Sequence, residues 1–187
     1  MGLPYQFIFG RRKGITMVVL KHLGTPTTAW RDRTGFCGVG VLDQPAGTLD
    51  AGQRAQLQAL AARTKLVHDL VAAFADRYDP FPAELAPALT RELAALRLLL
   101  ARYGGTDAQA PFAPGQFADA GLRHDYERLV RLGSTGRRAA LAVIAGLLRE
   151  TIAALPDMAA PDVHNVCFHL HAATLRQLRV VQAWSGR

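Results

Sequence analysis

Apolar residues recur in alternating steps of three and four along four stretches of the chain, the spacing of a helix that buries one stripe. The first stripe is Leu57, Leu60, Thr64, Val67, Val71, Phe74 and Tyr78, on a helix predicted from Thr48 or Asp50 to about Tyr78. Asp79 to Pro82 ends it, because proline lacks the amide that a continuing helix needs. The second stripe is Leu85, Leu89, Glu92, Leu96, Leu99 and Tyr103, stopped by Gly104-Gly105. A polar crossover, Thr106 to Gln116, leads to a short helix from Asp119 to Leu132 with Leu122, Tyr126 and Leu129 on one face. Gly133 is expected to stop that helix and Ser134 to cap the next, whose stripe is Leu141, Ile144, Leu148, Thr151 and Leu155 before Pro156. The last helix enters at Pro161-Asp162 and carries Val163, Cys167, Leu170, Thr174, Gln177 and Val181.

Each long stripe is interrupted at one level. Thr64, Glu92, Thr151 and Gln177 fall at matching heights and predict a polar layer inside an otherwise dry core. Glu92 is the informative member: a carboxylate taken out of water must be hydrogen-bonded, paired or protonated. Thr151, Gln177 and Thr64 are the expected partners, with Arg63, Arg149 or Arg176 reaching in from the flanks.

Residues 1–46 do not follow the helical pattern. YQFIF and ITMVVL have strand character and flank GRRKG, which suits a hairpin, so an irregular, hairpin-containing arm is expected ahead of a helical domain over 47–187. The Gly-rich TGFCGVGVLDQPAG lacks the spacing of a phosphate loop and reads as a linker. Arg11, Arg12, Lys13, Lys21, Arg31 and Arg33 oppose Asp32 and Asp43 there, so four of the seven net positive charges lie in the arm. Arg11, Arg12, Lys13 and Lys21 are the candidate partner-binding residues, for a protein partner, a second copy, or an anionic surface such as nucleic acid. GRRKGITMVVLKHLGTPTTA has the order of a twin-arginine export signal, but its apolar run is short and is broken by Lys21 and His22. A cytoplasmic protein is the expectation, and the well-separated Cys37 and Cys167 make no disulfide framework. No run approaches the roughly 20 apolar residues that cross a bilayer.

KLVHDL in the first helix, LLLARYGG at the end of the second, FADAGLRHDYERLVRLGST leading into AALAV, then DVHNV and LRQLR resemble the ferritin-like family labelled domain of unknown function 2202, over residues of about 49 to 184. The resemblance implies an all-α fold, a ferritin-like four-helix bundle with one short extra helix. It also implies a site for two metal ions, built in that family from inward glutamates and histidines. At the matching positions this chain has Arg63 and Thr64, Leu89 and Glu92, Leu148, Arg149 and Thr151, and Gln177. One carboxylate beside Thr and Gln is a poor ligand set for hard or borderline metals, so the family's metal chemistry is not carried over.

The weak metal candidates are Glu92 and the His164, Cys167, His171 series of the last helix. Those three span about two helical turns, too far for one ion without another segment. His68 and His124 read as ordinary surface or cap residues. No phosphate loop, dinucleotide fingerprint or haem-attachment sequence is present, and neither Ser134 nor Ser185 has a catalytic context. The expected function is non-enzymatic: a cofactor-free structural, accessory or interaction module that has lost a di-metal site. The alternatives are a metal-dependent oxidoreductase using Glu92 or the last helix, and an arm that binds nucleic acid or another anionic surface.

Overall fold

The computed structural model describes residues 9–12, 15–18, 44–156 and 159–186. They hold β1 (Phe9–Arg12), β2 (Ile15–Val18), α1 (Ala51–Arg77), α2 (Leu85–Arg102), α3 (Ala120–Gly133), α4 (Arg137–Ala153) and α5 (Pro161–Ser185). The two strands pair antiparallel, with Phe9 opposite Val18 and Arg12 opposite Ile15. Most of the expected arm lies outside the described residues, Lys13 and Lys21 included.

Local chemistry sets the helix ends. The Asp50 carboxylate accepts from the Gln53 amide at 2.7 Å while the Gln53 side chain accepts from the Asp50 amide at 2.9 Å, a reciprocal cap for α1. At the end of α2, Gly104 takes φ +68° and the Gly105 and Gly104 amides donate to Leu100 and Ala101 carbonyls. That closure needs a left-handed residue, which glycine supplies without a Cβ clash. The Asp119 side chain caps α3 through the Leu122 amide. One expectation at the next junction is corrected. Ser134 follows the last residue of α3, its amide donating to the Val130 carbonyl, and α4 begins after Gly136 without a side-chain cap. Gly133 is the last residue of α3, where the helix was expected to stop, and its absent side chain also serves packing, since a Cβ there would come within 2.2 Å of the Phe74 ring.

α1 packs on α2 and α4, and α5 packs on the same two helices, so the four long helices close a ring around one core. The core falls into two apolar clusters. Leu57, Leu60, Leu96, Leu99, Val163 and Leu170 fill one end; Val67, Phe74, Leu89, Ile144, Leu148 and Val181 fill the other. α1 and α5 therefore run from the first cluster to the second, and α2 and α4 run back. α2 and α4 being parallel, the chain between them must travel the length of the core, and the crossover with α3 does so. α3 seats on α4 and α1, its Gly133 against Phe74 and its Gly133 carbonyl accepting from the Tyr78 hydroxyl at 2.8 Å.

Candidate functional site

Between the two apolar clusters lies the layer of Thr64, Glu92, Thr151, Thr174 and Gln177, all buried. Glu92 is 2% exposed, and its Oε1 accepts from Gln177 Nε2 at 2.6 Å, a bond between α2 and α5. The three threonines do not join it as donors. Each turns its hydroxyl back onto its own helix, Thr64 to Leu60, Thr151 to Leu147 and Thr174 to Leu170, at 2.8 to 2.9 Å. Gln177 Oε1 has no donor among the described residues. Of the three guanidinium groups expected at the flanks, Arg63 pairs with Glu150 at 2.9 Å, and Arg149 and Arg176 are exposed.

The residues of the α5 series do not come together on one surface. Cys167 is buried among the apolar residues, whereas His164 and His171 are exposed. Among the described residues, no three His, Cys, Asp or Glu side chains gather closely enough to hold a metal ion. Arg11 and Arg12 lie on β1.

A second polar cluster is absent from the stripe pattern. Lys65 and Asp69, 4% and 3% exposed, form a buried ion pair one turn apart on α1. Lys65 Nζ uses its remaining protons on the carbonyls of Ala113 and Gln116, both at 3.2 Å, and sits 4.4 Å from the centre of the Phe117 ring. Asp69 also accepts from the Gly115 amide at 2.9 Å and from His68 Nδ1 at 3.0 Å. Burial opposes its ionisation, but the hydrogen bonds from His68, Lys65 and Gly115 and the Lys65 charge outweigh it. The Asp69 carboxyl is held below its ordinary value. The phenol of Tyr126 is pushed up, by burial first and by the Asp69 charge second.

His68 is thus not an ordinary surface residue. Its Nε2 reaches Thr90 Oγ1 on α2 at 3.1 Å. Asp69, His68 and Thr90 follow the order of an orienting carboxylate, a base and a hydroxyl. Thr90 Oγ1, however, donates to its own Ala86 carbonyl at 2.9 Å and stands in mid-helix, where the neighbouring amides are used by the helix and none is left for an oxyanion. The constellation fastens the crossover to α1 and α2. The crossover is also held by Arg97 to Asp107 at 2.8 Å and by the Ala118 amide to the buried Gln109 side chain at 2.9 Å.

A third buried carboxylate, Asp162, closes the other end. Its Oδ1 accepts from the Tyr103 hydroxyl at 2.6 Å and from the Val163 amide at 2.9 Å, and its Oδ2 lies 3.4 Å from Arg102. Tyr103 in turn accepts from the Gly47 amide, and its phenol is pushed up by burial and by the bond to Asp162. These ties occupy KLVHDL, LLLARYGG and DVHNV. The signal available in the sequence was a Lys and an Asp one turn apart, and an Asp just inside a helix start.

Outside the core, α1, α3, α4 and the crossover enclose a cleft of about 950 Å³. Its apolar wall includes Leu66, Leu129, Leu132 and Val143, and its rim carries Asp107, Asp119, Asp125 and Glu150 against Arg63 and Arg128. No protein-family model matches the chain, and neither a curated protein nor a solved structure matches it. No helix of the described residues is long and apolar enough to cross a membrane.

Proposed function

We propose that this protein is a non-enzymatic, ferritin-like interaction module whose mid-bundle site has exchanged metal ligation for a hydrogen-bonded polar layer. The observation that carries the reading is the Glu92–Gln177 bond: the one carboxylate of the layer is engaged by a neutral amide, and the three other polar members are hydroxyls turned onto their own helices. Such a set offers one anionic ligand, whereas inward carboxylates and imidazoles from all four helices hold the two ions of ferritin-like bundles. The ring of neighbouring antiparallel helices with a single long crossover supports the ferritin-like part of the reading.

The test is elemental analysis of untagged full-length protein grown with iron and manganese. Substoichiometric metal that survives replacement of Glu92 by Gln supports the reading. About two equivalents of iron or manganese per chain, lost in Glu92→Gln, overturn it.

A further inference from the structure

The outward face of α5 does nothing for the core of its own chain. Along it stand Pro161, His164, Phe168, His171 and Leu175, three or four residues apart, the spacing of a single helical stripe. Phe168 is 64% exposed, the most exposed large apolar side chain among the described residues, and His164 and His171 are exposed on either side of it. Leu98 of α2, 49% exposed, stands level with it, because the Glu92–Gln177 and Tyr103–Asp162 bonds set the register of the two antiparallel helices and place Leu98 beside residues 167–171. The carboxylates of these two helices, Glu92 and Asp162, are 2% and 0% exposed, so the face offers apolar and imidazole groups but no exposed acid.

His164 and His171 are about 10 Å apart along the helix and cannot share an ion within one chain. They do stand almost symmetrically about Phe168, four residues before it and three after. The contact of a two-fold dimer must match itself, and a stripe of this form does so when a second copy of α5 is laid across it antiparallel. The two Phe168 rings then meet at the centre, each His164 lies beside the partner's His171, and each Pro161 lies beside the partner's Leu175. Arg176 and Arg179, eight and eleven residues past Phe168, fall beyond the partner's Pro161, so the pairing brings no arginines of α5 face to face. One exposed stripe is small beside the roughly 1,200–2,000 Å² of stable interfaces, so the apolar centre needs a further tie. Paired imidazoles with no carboxylate beside them supply it, as ligands for zinc, copper or nickel rather than for magnesium, calcium or manganese.

We infer that α5 is a metal-bridged docking surface for a second copy of this chain, in which His164 of each protomer and the partner's His171 hold a zinc-like divalent ion on either side of the paired Phe168 rings. Each site is incomplete in one chain and is completed by the other. The assignment goes beyond the reading of the bundle interior and stands whichever way the mid-bundle metal is decided, because Glu92 takes no part in it.

The test is sedimentation of untagged full-length protein with and without equimolar zinc. The expected result is a monomer in EDTA and a doubling of mass with zinc that EDTA reverses. His164→Ala and His171→Ala should each abolish the doubling, since either change removes one ligand from both ions. An equimolar mixture of the two variants should recover a dimer, several-fold weaker than the wild type, because one complete site forms between the unlike chains; a site within one chain cannot give that result. Phe168→Ser, at an exposed position, should weaken the zinc-driven association several-fold at an unchanged helical signal. A dimer that persists in EDTA, a monomer at every zinc concentration, association unchanged in either histidine variant, or a mixture that stays monomeric overturns the inference.

Discussion

The mid-bundle layer and the Lys65–Asp69 cluster are both buried but satisfy their polar groups in different ways. Lys65 and Asp69 neutralise each other and spend their remaining hydrogen-bonding capacity on the crossover backbone and His68. Glu92 is met by a neutral amide whose own carbonyl has no donor among the described residues. The first cluster holds a connection in place; the second joins two helices at a level where apolar side chains would also serve. A buried polar group is thus weak evidence for a site until its partners are counted.

The sharpest way to break the comparison is to remove one partner of the ion pair. Asp69→Ala leaves Lys65 buried without a counter-charge and should cost about 3–5 kcal/mol, read by chemical denaturation, with residues 106–118 becoming the first point of proteolysis. Lys65→Met with Asp69→Leu should recover most of that loss. Equal losses for the single and double variants would show that backbone contacts, not the charge, dominate.

The same carboxylate predicts an acid limb. Its folded pKa is depressed, so its contribution is fully present above the unfolded value of about 4 and is lost as pH falls through the lower folded value. Denaturant midpoints should therefore fall below about pH 4, less steeply in Asp69→Asn. A wild-type curve parallel to the variant's would remove Asp69 from the account.

For the mid-bundle layer, Glu92→Leu alone strips Gln177 Nε2 of its acceptor and should cost about 1–3 kcal/mol. Glu92→Leu with Gln177→Leu should be neutral or stabilising by thermal melting, as apolar replacement of buried polar sets often is. If the double variant loses as much as Asp69→Ala, the two clusters are alike and the contrast fails. The smallest effect is expected for Thr174→Val. Its hydroxyl bonds only the Leu170 carbonyl of its own helix, so a melting shift within about 1 kcal/mol is expected.

The helices, their core faces and the polar layer were legible before any coordinates because periodicity is local: residues three and four apart share a face whatever they pack against. Leu57 to Phe74, Leu85 to Leu99, Leu141 to Thr151 and Val163 to Val181 are buried as their spacing requires. The burial of Thr64, Glu92, Thr151 and Gln177 agrees with counting along each stripe, but of the three partners expected for Glu92 only Gln177 bonds it, Thr64 and Thr151 turning onto their own helices. Lys65 and Asp69 escaped because they lie beside the stripe. Charged residues there are ordinarily solvated, and only the crossover folding over them takes them out of water. Ser134 misled for a related reason. It has a strong local preference for capping a following helix, and that was overruled by its amide bond to Val130 in the preceding turn. Spacing along one chain fixes which face of a helix is apolar. Which backbone carbonyls reach Lys65, which tyrosine reaches Asp162, and where a cleft opens between α1 and α4 depend on segments far apart in sequence, and only their packing decides them.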